Sequence, residues 1–333
     1  MDTTEKKENP VLLTVSPSPH IRHGDTTRSI MLDVIIALIP ALVWGTVCFG
    51  LRALAVVLIS VGASVASEFA FEKLLKRNLT TGDLSAVVTG LLLGLNLPAS
   101  VPFWMPAVGA VFAIVVVKQL FGGIGKNFLN PALAARVFLF AWPTEMTTFT
   151  SPFSRLGIFA SREAVDAVAT ATPLASLKSG NLPEIAWADL ITGKCGGTIG
   201  EVSSVLLVLG GIYLIVRKVI TWHIPVSFIG TVALLTAVFP KNEDTLSFVL
   251  SEVFSGGLIL AAFFMATDFA TSPITAKGRF IFGVGCGAIT VFIRYFGGYP
   301  EGVSFAVLIM NTLVYYIDKF TRPTPFGKEK KHE

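Results

Sequence analysis

Two threonines, Thr170 and Thr172, stand in the stretch Asp166-Ala-Val-Ala-Thr-Ala-Thr-Pro-Leu-Ala-Ser-Leu177, which holds one carboxylate and no His, Cys or Lys before Lys178. A threonine hydroxyl is a poor nucleophile unless a base activates it, and no base is adjacent. The segment is therefore not catalytic by itself. The chemistry open to it is that of an acceptor, an exposed hydroxyl that a separate enzyme modifies. By composition alone, residues 160–180 read as an ordinary loop or short surface helix, where Asp, Thr and Pro are common.

The remaining chemistry-bearing residues are sparse. Cys48, Cys195 and Cys286 lie far apart without a C-x-x-C pair, and His20, His23, His223 and His332 form no H-E-x-x-H pattern. That spacing makes no conventional zinc or iron–sulfur site from this chain alone. The acids in or near apolar runs are Asp33, Glu68, Glu72, Asp83, Glu145, Glu252 and Asp268. A charge in mid-membrane costs at least ~2.5–3.5 kcal/mol, which makes an intramembrane acid a functional candidate. Most of the seven fall at the ends of runs, where water or headgroups solvate them. Asp33 and Glu68 are the deepest, and Asp268 sits where a run breaks, so that unwound backbone could help hold a cation or polar cofactor. Asn130-Pro-Ala132 shares three letters with water channels but has no second copy. Asn130 reads instead as a helix N-cap with proline at the first helical position. Gly283-Val-Gly-Cys-Gly287 lies inside an apolar run and reads as packing, not as a dinucleotide loop.

The elements that must position these residues are membrane helices. The chain has 333 residues, 53% hydrophobic and only 14% charged, against roughly 25% charged in soluble domains. Apolar runs recur near the 20 residues needed to cross a ~30 Å hydrocarbon core. The pattern predicts ten spans, at about 29–48, 53–72, 84–97, 103–120, 127–142, 201–216, 219–239, 248–267, 280–296 and 303–318. No cleavable signal is expected, since the first run begins only after a polar tail and no A-x-A site follows it. Of the 26 basic residues, eighteen fall on the side of the N-terminus and seven on the other, with Arg136 inside a span. Four of the seven lie in one long loop, which bears less on orientation. Both termini are thus expected in the cytoplasm and residues 143–200 outside. The net charge of +4 reflects basic cytoplasmic loops and not nucleic-acid binding.

The halves echo each other. Phe121-Gly-Gly-Ile-Gly-Lys-Asn-Phe128 parallels Phe296-Gly-Gly-Tyr-Pro-Glu-Gly-Val-Ser-Phe305, each after a helix ending in a basic residue, Lys118 or Arg294. Thr89-Gly-Leu-Leu-Leu-Gly94 similarly matches Gly256-Gly-Leu-Ile-Leu-Ala261. Five spans per half means that the second half runs upside down, and broken segments at matching places in such halves point to a central site. The expected division is a cytoplasmic tail 1–28, a five-helix repeat 29–142, an external loop 143–200, a second repeat 201–318 and a basic cytoplasmic tail 319–333.

The segment Asp166-x-x-Ala-Thr-Ala-Thr172-Pro-Leu resembles the flavinylation motif D-x-x-[ST]-G-A-T of redox-driven ion pumps, departing from it at Ala169 and Thr170. Ser18-Pro-His20, Gly125-Lys-Asn-Phe-Leu-Asn-Pro-Ala132, Met265-Ala-Thr-Asp268 and Ser272-Pro273 resemble the same family, from about residue 10 to 322. It comprises the D subunit of the Rnf ion-translocating electron-transport complex and the B subunit of the sodium-pumping NADH:quinone oxidoreductase, and the short N-terminal tail is more similar to the former. The resemblance implies FMN, transferred from FAD by a flavin transferase, linked to Thr172 by a phosphodiester. Asp166 and Ala171 would be the positions the transferase recognises, and Thr170 is the rival acceptor. It also implies an all-α polytopic fold with a urea-transporter-like core, and a second, non-covalent riboflavin, which we place near Asn130 and Asp268. The implied role is one member of a six-subunit complex in the cytoplasmic membrane that passes electrons between ferredoxin and NAD, coupled to Na⁺ or H⁺ transport. Asp33, Glu68 and Asp268 are the candidates for the ion route. The transferase works outside the membrane, in agreement with the external placement of 143–200. Partners would be the other Rnf subunits, the transferase and membrane lipid. A small-solute channel and a structural scaffold are the competing readings.

Overall fold

The computed structural model describes residues 25–154, 157–159, 165, 167–183, 185, 187–201, 203–299 and 301–323. Among the described residues, four helices are long and apolar enough to cross a membrane: α1 (Thr27–Phe49), α2 (Leu51–Leu74), α13 (Ala276–Phe296) and α14 (Val303–Thr321). A fifth crossing results if α11 (Thr245–Phe254) and α12 (Leu258–Met265), which meet at a 58° bend, count as one span. Shorter apolar helices fill in between: α3 (Ser85–Leu95), α4 (Trp104–Gln119), α9 (Ser204–Val216) and α10 (His223–Val238), with α5 (Pro131–Leu139). The segment between α5 and α9 carries α6 (Pro143–Thr147), α7 (Pro173–Lys178) and α8 (Trp187–Thr192). It also holds an antiparallel pair, β1 (Phe149–Thr150) with β2 (Ala169–Thr170), in which Phe149 faces Thr170 and Thr150 faces Ala169.

Why α1 is a membrane helix is written on its two faces. Leu32, Ile36, Ile39, Val43 and Val47 point outward, at spacings of three and four residues. Asp33, Ala37, Ala41, Gly45 and Cys48 point inward. Lipid offers no hydrophobic drive between helices, so close backbone approach through small residues does the packing. A Cβ on Gly210 of α9 would lie 2.5 Å from the Ala37 carbonyl oxygen, so α9 requires glycine there to touch α1. The helix starts at a capping box in which the Ser29 N–H donates to Thr26 Oγ1 (3.2 Å) and the Thr26 N–H to Ser29 Oγ (2.9 Å). Its 23 residues measure about 35 Å at ~1.5 Å each, enough for the hydrocarbon core.

The span expected over 127–142 is shorter. α5 has nine residues, about 14 Å or half the core. Gly122, Gly123 and Gly125 take positive φ in the loop before it, and Asn130 then starts the helix as its cap, Oδ1 accepting from the N–H of Ala132 (3.1 Å) and Leu133 (3.2 Å). The span expected over 248–267 is the bent pair α11–α12, broken at Ser255-Gly-Gly257 where Gly256 takes φ +72°.

The 143–200 segment packs across one end of the bundle. Phe153 N–H donates to the Cys48 carbonyl at the end of α1 (2.6 Å), and Ile199 and Gly200 donate to Leu97 and Leu95 after α3 (3.0 and 2.7 Å). Lys178 Nζ reaches the carbonyls of Gly297 and Gly298 beyond α13 (2.7 and 3.0 Å). The Thr27 end of α1 and the Thr321 end of α14 lie at the other end of the bundle, where Ile274 N–H donates to Asp318 Oδ1 (3.0 Å).

Candidate functional site

Thr172 is the N-cap residue of α7 but makes no capping hydrogen bond with its side chain. Its half-buried side chain lines a cleft of about 30 Å³ together with Phe149, Cys195, Thr198, Glu201 and Phe254. Gly196, Gly197 and Gly256 line it too. A Cβ on Gly197 would come 3.0 Å from Glu201 Oε2, and one on Gly256 would come 2.4 Å from Leu174 Cδ1, so the glycines keep the cleft open. Thr170 is oriented differently. It is exposed in β2, and its methyl Cγ2 sits 2.4 Å from where a Cβ on Gly196 would be, so it packs on a glycine of the cleft without lining the cleft itself. Ala171 is exposed between the two. Asp166 lies outside the described residues. Cys195 is also in the lining, where burial above all pushes its thiol up to about 12.

Beneath the cleft lies a cluster of buried charge. Arg136 of α5 bonds both oxygens of Glu301, Nη2 to Oε2 and Nη1 to Oε1, and its Nη1 also donates to Asn96 Oδ1 (2.8 Å) and Ser304 Oγ (3.2 Å). Glu201 Oε1 is 3.7 Å from Arg136 Nη2. The Gly257 N–H, freed by the break between α11 and α12, donates to Glu301 Oε1 (2.9 Å). Sequence reasoning leaves Arg136 as a lone basic residue in a span and gives Glu201 and Glu301 no role. The available signal is the charge itself, since an arginine in a helix in lipid requires a buried acid.

At the opposite end, Asn130 and Asp268 come together. The Asn130 amide donates to the Met265 carbonyl at the end of α12 (3.1 Å), and Asp268 Oδ2 accepts from Thr271 Oγ1 (3.1 Å). Both line a cavity of about 90 Å³ with Asn127, Lys118, Phe263 and Phe264. Glu68 joins indirectly. Lys118 Nζ, at the cavity wall, donates to Glu68 Oε1 (2.6 Å) and Ser85 Oγ (2.5 Å). Asp33 points elsewhere, to Tyr213 Oη (2.8 Å) and Arg217 Nη2 (3.1 Å) on α9, although Met31 and Val34 beside it line the cavity. Glu72 and Glu252, expected to be solvated at span ends, are instead buried within the protein. Glu72 accepts from the Thr80 N–H (2.8 Å) and Glu252 pairs with Arg294 (2.7 Å). The reason is physical: loops fold back over the ends of α2 and α11, so a helix end here is protein interior.

The two ends differ in chemistry, one a hydroxyl at a glycine-lined cleft and the other a polar cavity with a buried lysine–glutamate pair. The chain is 49% identical over 327 residues, 97% of its length and 98% of the relative's, to the D subunit of the Na⁺-translocating ferredoxin:NAD⁺ oxidoreductase complex of Acetobacterium woodii. It is 43% identical to the D subunit of the proton-translocating ferredoxin:NAD⁺ oxidoreductase complex of Clostridium ljungdahlii, over 96% and 97% of the two chains. With the D subunit of the ion-translocating oxidoreductase complex of Stutzerimonas stutzeri it shares 39% over 91% and 92%. The sequence profile of the NQR2, RnfD, RnfE family matches residues 14–327, and the chain belongs to that family.

Proposed function

We propose that this chain is the membrane electron-transfer subunit of a ferredoxin:NAD⁺ oxidoreductase complex of the Rnf type, bearing FMN as a phosphodiester on Thr172 and contributing to Na⁺ or H⁺ translocation. The observation that carries the reading is the Thr172 hydroxyl: free of the capping bond its position offers, at the mouth of a glycine-lined cleft, beside an exposed Ala171. The similarity to D subunits of Na⁺- and proton-translocating ferredoxin:NAD⁺ oxidoreductase complexes supports the complex, its other subunits as partners, and ion coupling. FMN supplies one- and two-electron redox chemistry when bound. Thr172 is part of the lining, so what the cleft accommodates is the linkage at the threonine oxygen. Phe149 and Phe254 give the cleft apolar walls. Asp166 and Ala171 would be read by the transferase that makes the bond.

Asn130, Asn127, Lys118 and Asp268 offer donors and an acceptor around a cavity walled by Phe263 and Phe264, a set that suits the polar edge and flat face of a non-covalent riboflavin. Asp33, Glu68 and Asp268 remain the candidates for the ion route. The architecture we infer is ten crossings in two inverted halves with a urea-transporter-like core. Two buried pairs support it: Lys118 near the end of α4 with Glu68 at one end of the bundle, and Arg294 near the end of α13 with Glu252 at the other. The loop 143–200 then faces the outside of the cytoplasmic membrane, with both termini in the cytoplasm. The decisive experiment is coexpression with a flavin transferase, followed by denaturing electrophoresis under ultraviolet light and intact mass. A fluorescent band heavier by one FMN moiety is expected; a dark band of apoprotein mass rejects the reading and leaves a channel or scaffold.

A further inference from the structure

The cluster under the cleft does not balance. Around the break at Gly256-Gly257 stand three carboxylates, Glu201, Glu252 and Glu301, and two guanidiniums, Arg136 and Arg294, with the Cys195 thiol beside them. Arg294 is matched by Glu252 (2.7 Å). Arg136 is matched by Glu301, which it bonds through both oxygens. Glu201 has only the longer 3.7 Å approach of Arg136 Nη2, which Glu301 already holds. Its side chain is 9% exposed, its Oε2 accepts a long bond from the Thr198 N–H (3.3 Å), and its Oε1 has no hydrogen-bond partner among the described residues. The same Oε1 lies 3.3 Å from where a Cβ on Gly257 would be, and Glu301 Oε1 lies 2.7 Å from that point, so the two carboxylates crowd one spot. Like charges that close do not both ionise out of water.

We propose that Glu201 holds a proton at neutral pH and forms, with Glu301 and Arg136, a proton-binding site that faces the Thr172 cleft. The electrostatics agree. Burial and then the Glu301 charge push the Glu201 carboxyl up, with Arg136 opposing them. At Glu301 burial also acts upward, but the Arg136 pair and the Gly257 N–H outweigh it and hold that carboxyl below its ordinary range. Charge on Glu201 and charge in the cleft are then linked: an anion at Thr172 tightens the proton on Glu201, and the proton eases the presence of the anion. Only this linkage rests on the phosphodiester at Thr172; the proton on Glu201 does not.

The test is pH-titrated infrared difference spectroscopy on the full-length purified chain. A protonated-carboxyl C=O band that disappears only above neutral pH is expected in the unmodified wild type. Glu201→Gln removes it. Glu301→Gln removes it too, because two carboxylates then meet two guanidiniums and Glu201 ionises. A wild type without the band, or a Glu201→Gln chain that keeps it, overturns the site, and the wild-type measurement needs no variant to fold. In the chain carrying FMN the band titrates at higher pH than in Thr172→Val. Equal titration of the two overturns the linkage with the tether intact, whereas absence of any FMN addition rejects the earlier reading and leaves the result on Glu201 standing.

Discussion

Thr170 and Thr172 offer the same hydroxyl two residues apart, and their surroundings separate them. Thr170 packs its methyl on Gly196 within a two-residue strand, while Thr172 opens onto the cleft. Thr172→Val is expected to abolish the FMN addition measured by intact mass, and Thr170→Val to retain most of it; the reverse result moves the acceptor and leaves the function in place. Arg136 makes the second argument at this scale. Removing one partner of a buried ion pair costs about 3–5 kcal/mol, because a charge is left alone in a low-dielectric interior. Arg136→Gln should therefore lower the unfolding midpoint in detergent markedly, and the double variant Arg136→Gln/Glu301→Gln should recover part of the loss. No recovery would mean that Arg136 acts through Asn96 and Ser304 instead.

The break between α11 and α12 is an element-scale device, since it frees the Gly257 N–H for Glu301 and brings Gly256 against α7, the helix that Thr172 caps. Gly256 sits at φ +72° with Leu174 Cδ1 where a Cβ would go. Gly256→Ala is thus strained twice, by backbone and by overpacking worth about 1–3 kcal/mol, and should lower the yield of flavinylated chain more than the amount of chain in the membrane. Equal losses would place the effect in general folding. Much at this scale was legible beforehand. The apolar runs gave α1, α2, α13 and α14 within a few residues, and the Asn-Pro pair gave the cap of α5. What stayed hidden was long-range pairing. Periodicity says that Glu68 and Ser64 share a face of α2, but nothing local says that Lys118 is the partner 50 residues on. Span-end acids looked solvated because a sequence does not reveal which loops fold back over a helix end. The cleft escaped for the same reason: its walls come from β1, α7, the 195–201 turn and the α11–α12 break.

Across the whole molecule the Thr172 cleft and the Asp268 cavity occupy opposite ends of the bundle. Phe159, 89% exposed in the 143–200 segment, gives a handle on which face is which. Phe159→Cys should react with a membrane-impermeant maleimide in intact cells more strongly than the wild type, in which Cys48 and Cys286 are buried and Cys195 is half-buried. Labelling only after lysis would put the segment in the cytosol and end the tethering scheme. In vesicles holding the complex, Glu68→Gln and Asp268→Asn are each expected to cut redox-coupled cation uptake about tenfold, roughly 1.4 kcal/mol, with Asp33→Asn affected as well if it lies on the route; full uptake in all three removes these acids from it. The Arg136 cluster also constrains how the protein is made. Its acid Glu301 comes 165 residues later in the chain, about 8–33 s of synthesis at ~5–20 residues per second. In the first part of that interval Asn96 is the partner already made, and Glu201, the acid 3.7 Å away, follows before Glu301 closes the cluster. The two-oxygen grip on Arg136 therefore closes only once the last helix follows, so the interior under the cleft is completed among the final steps of synthesis.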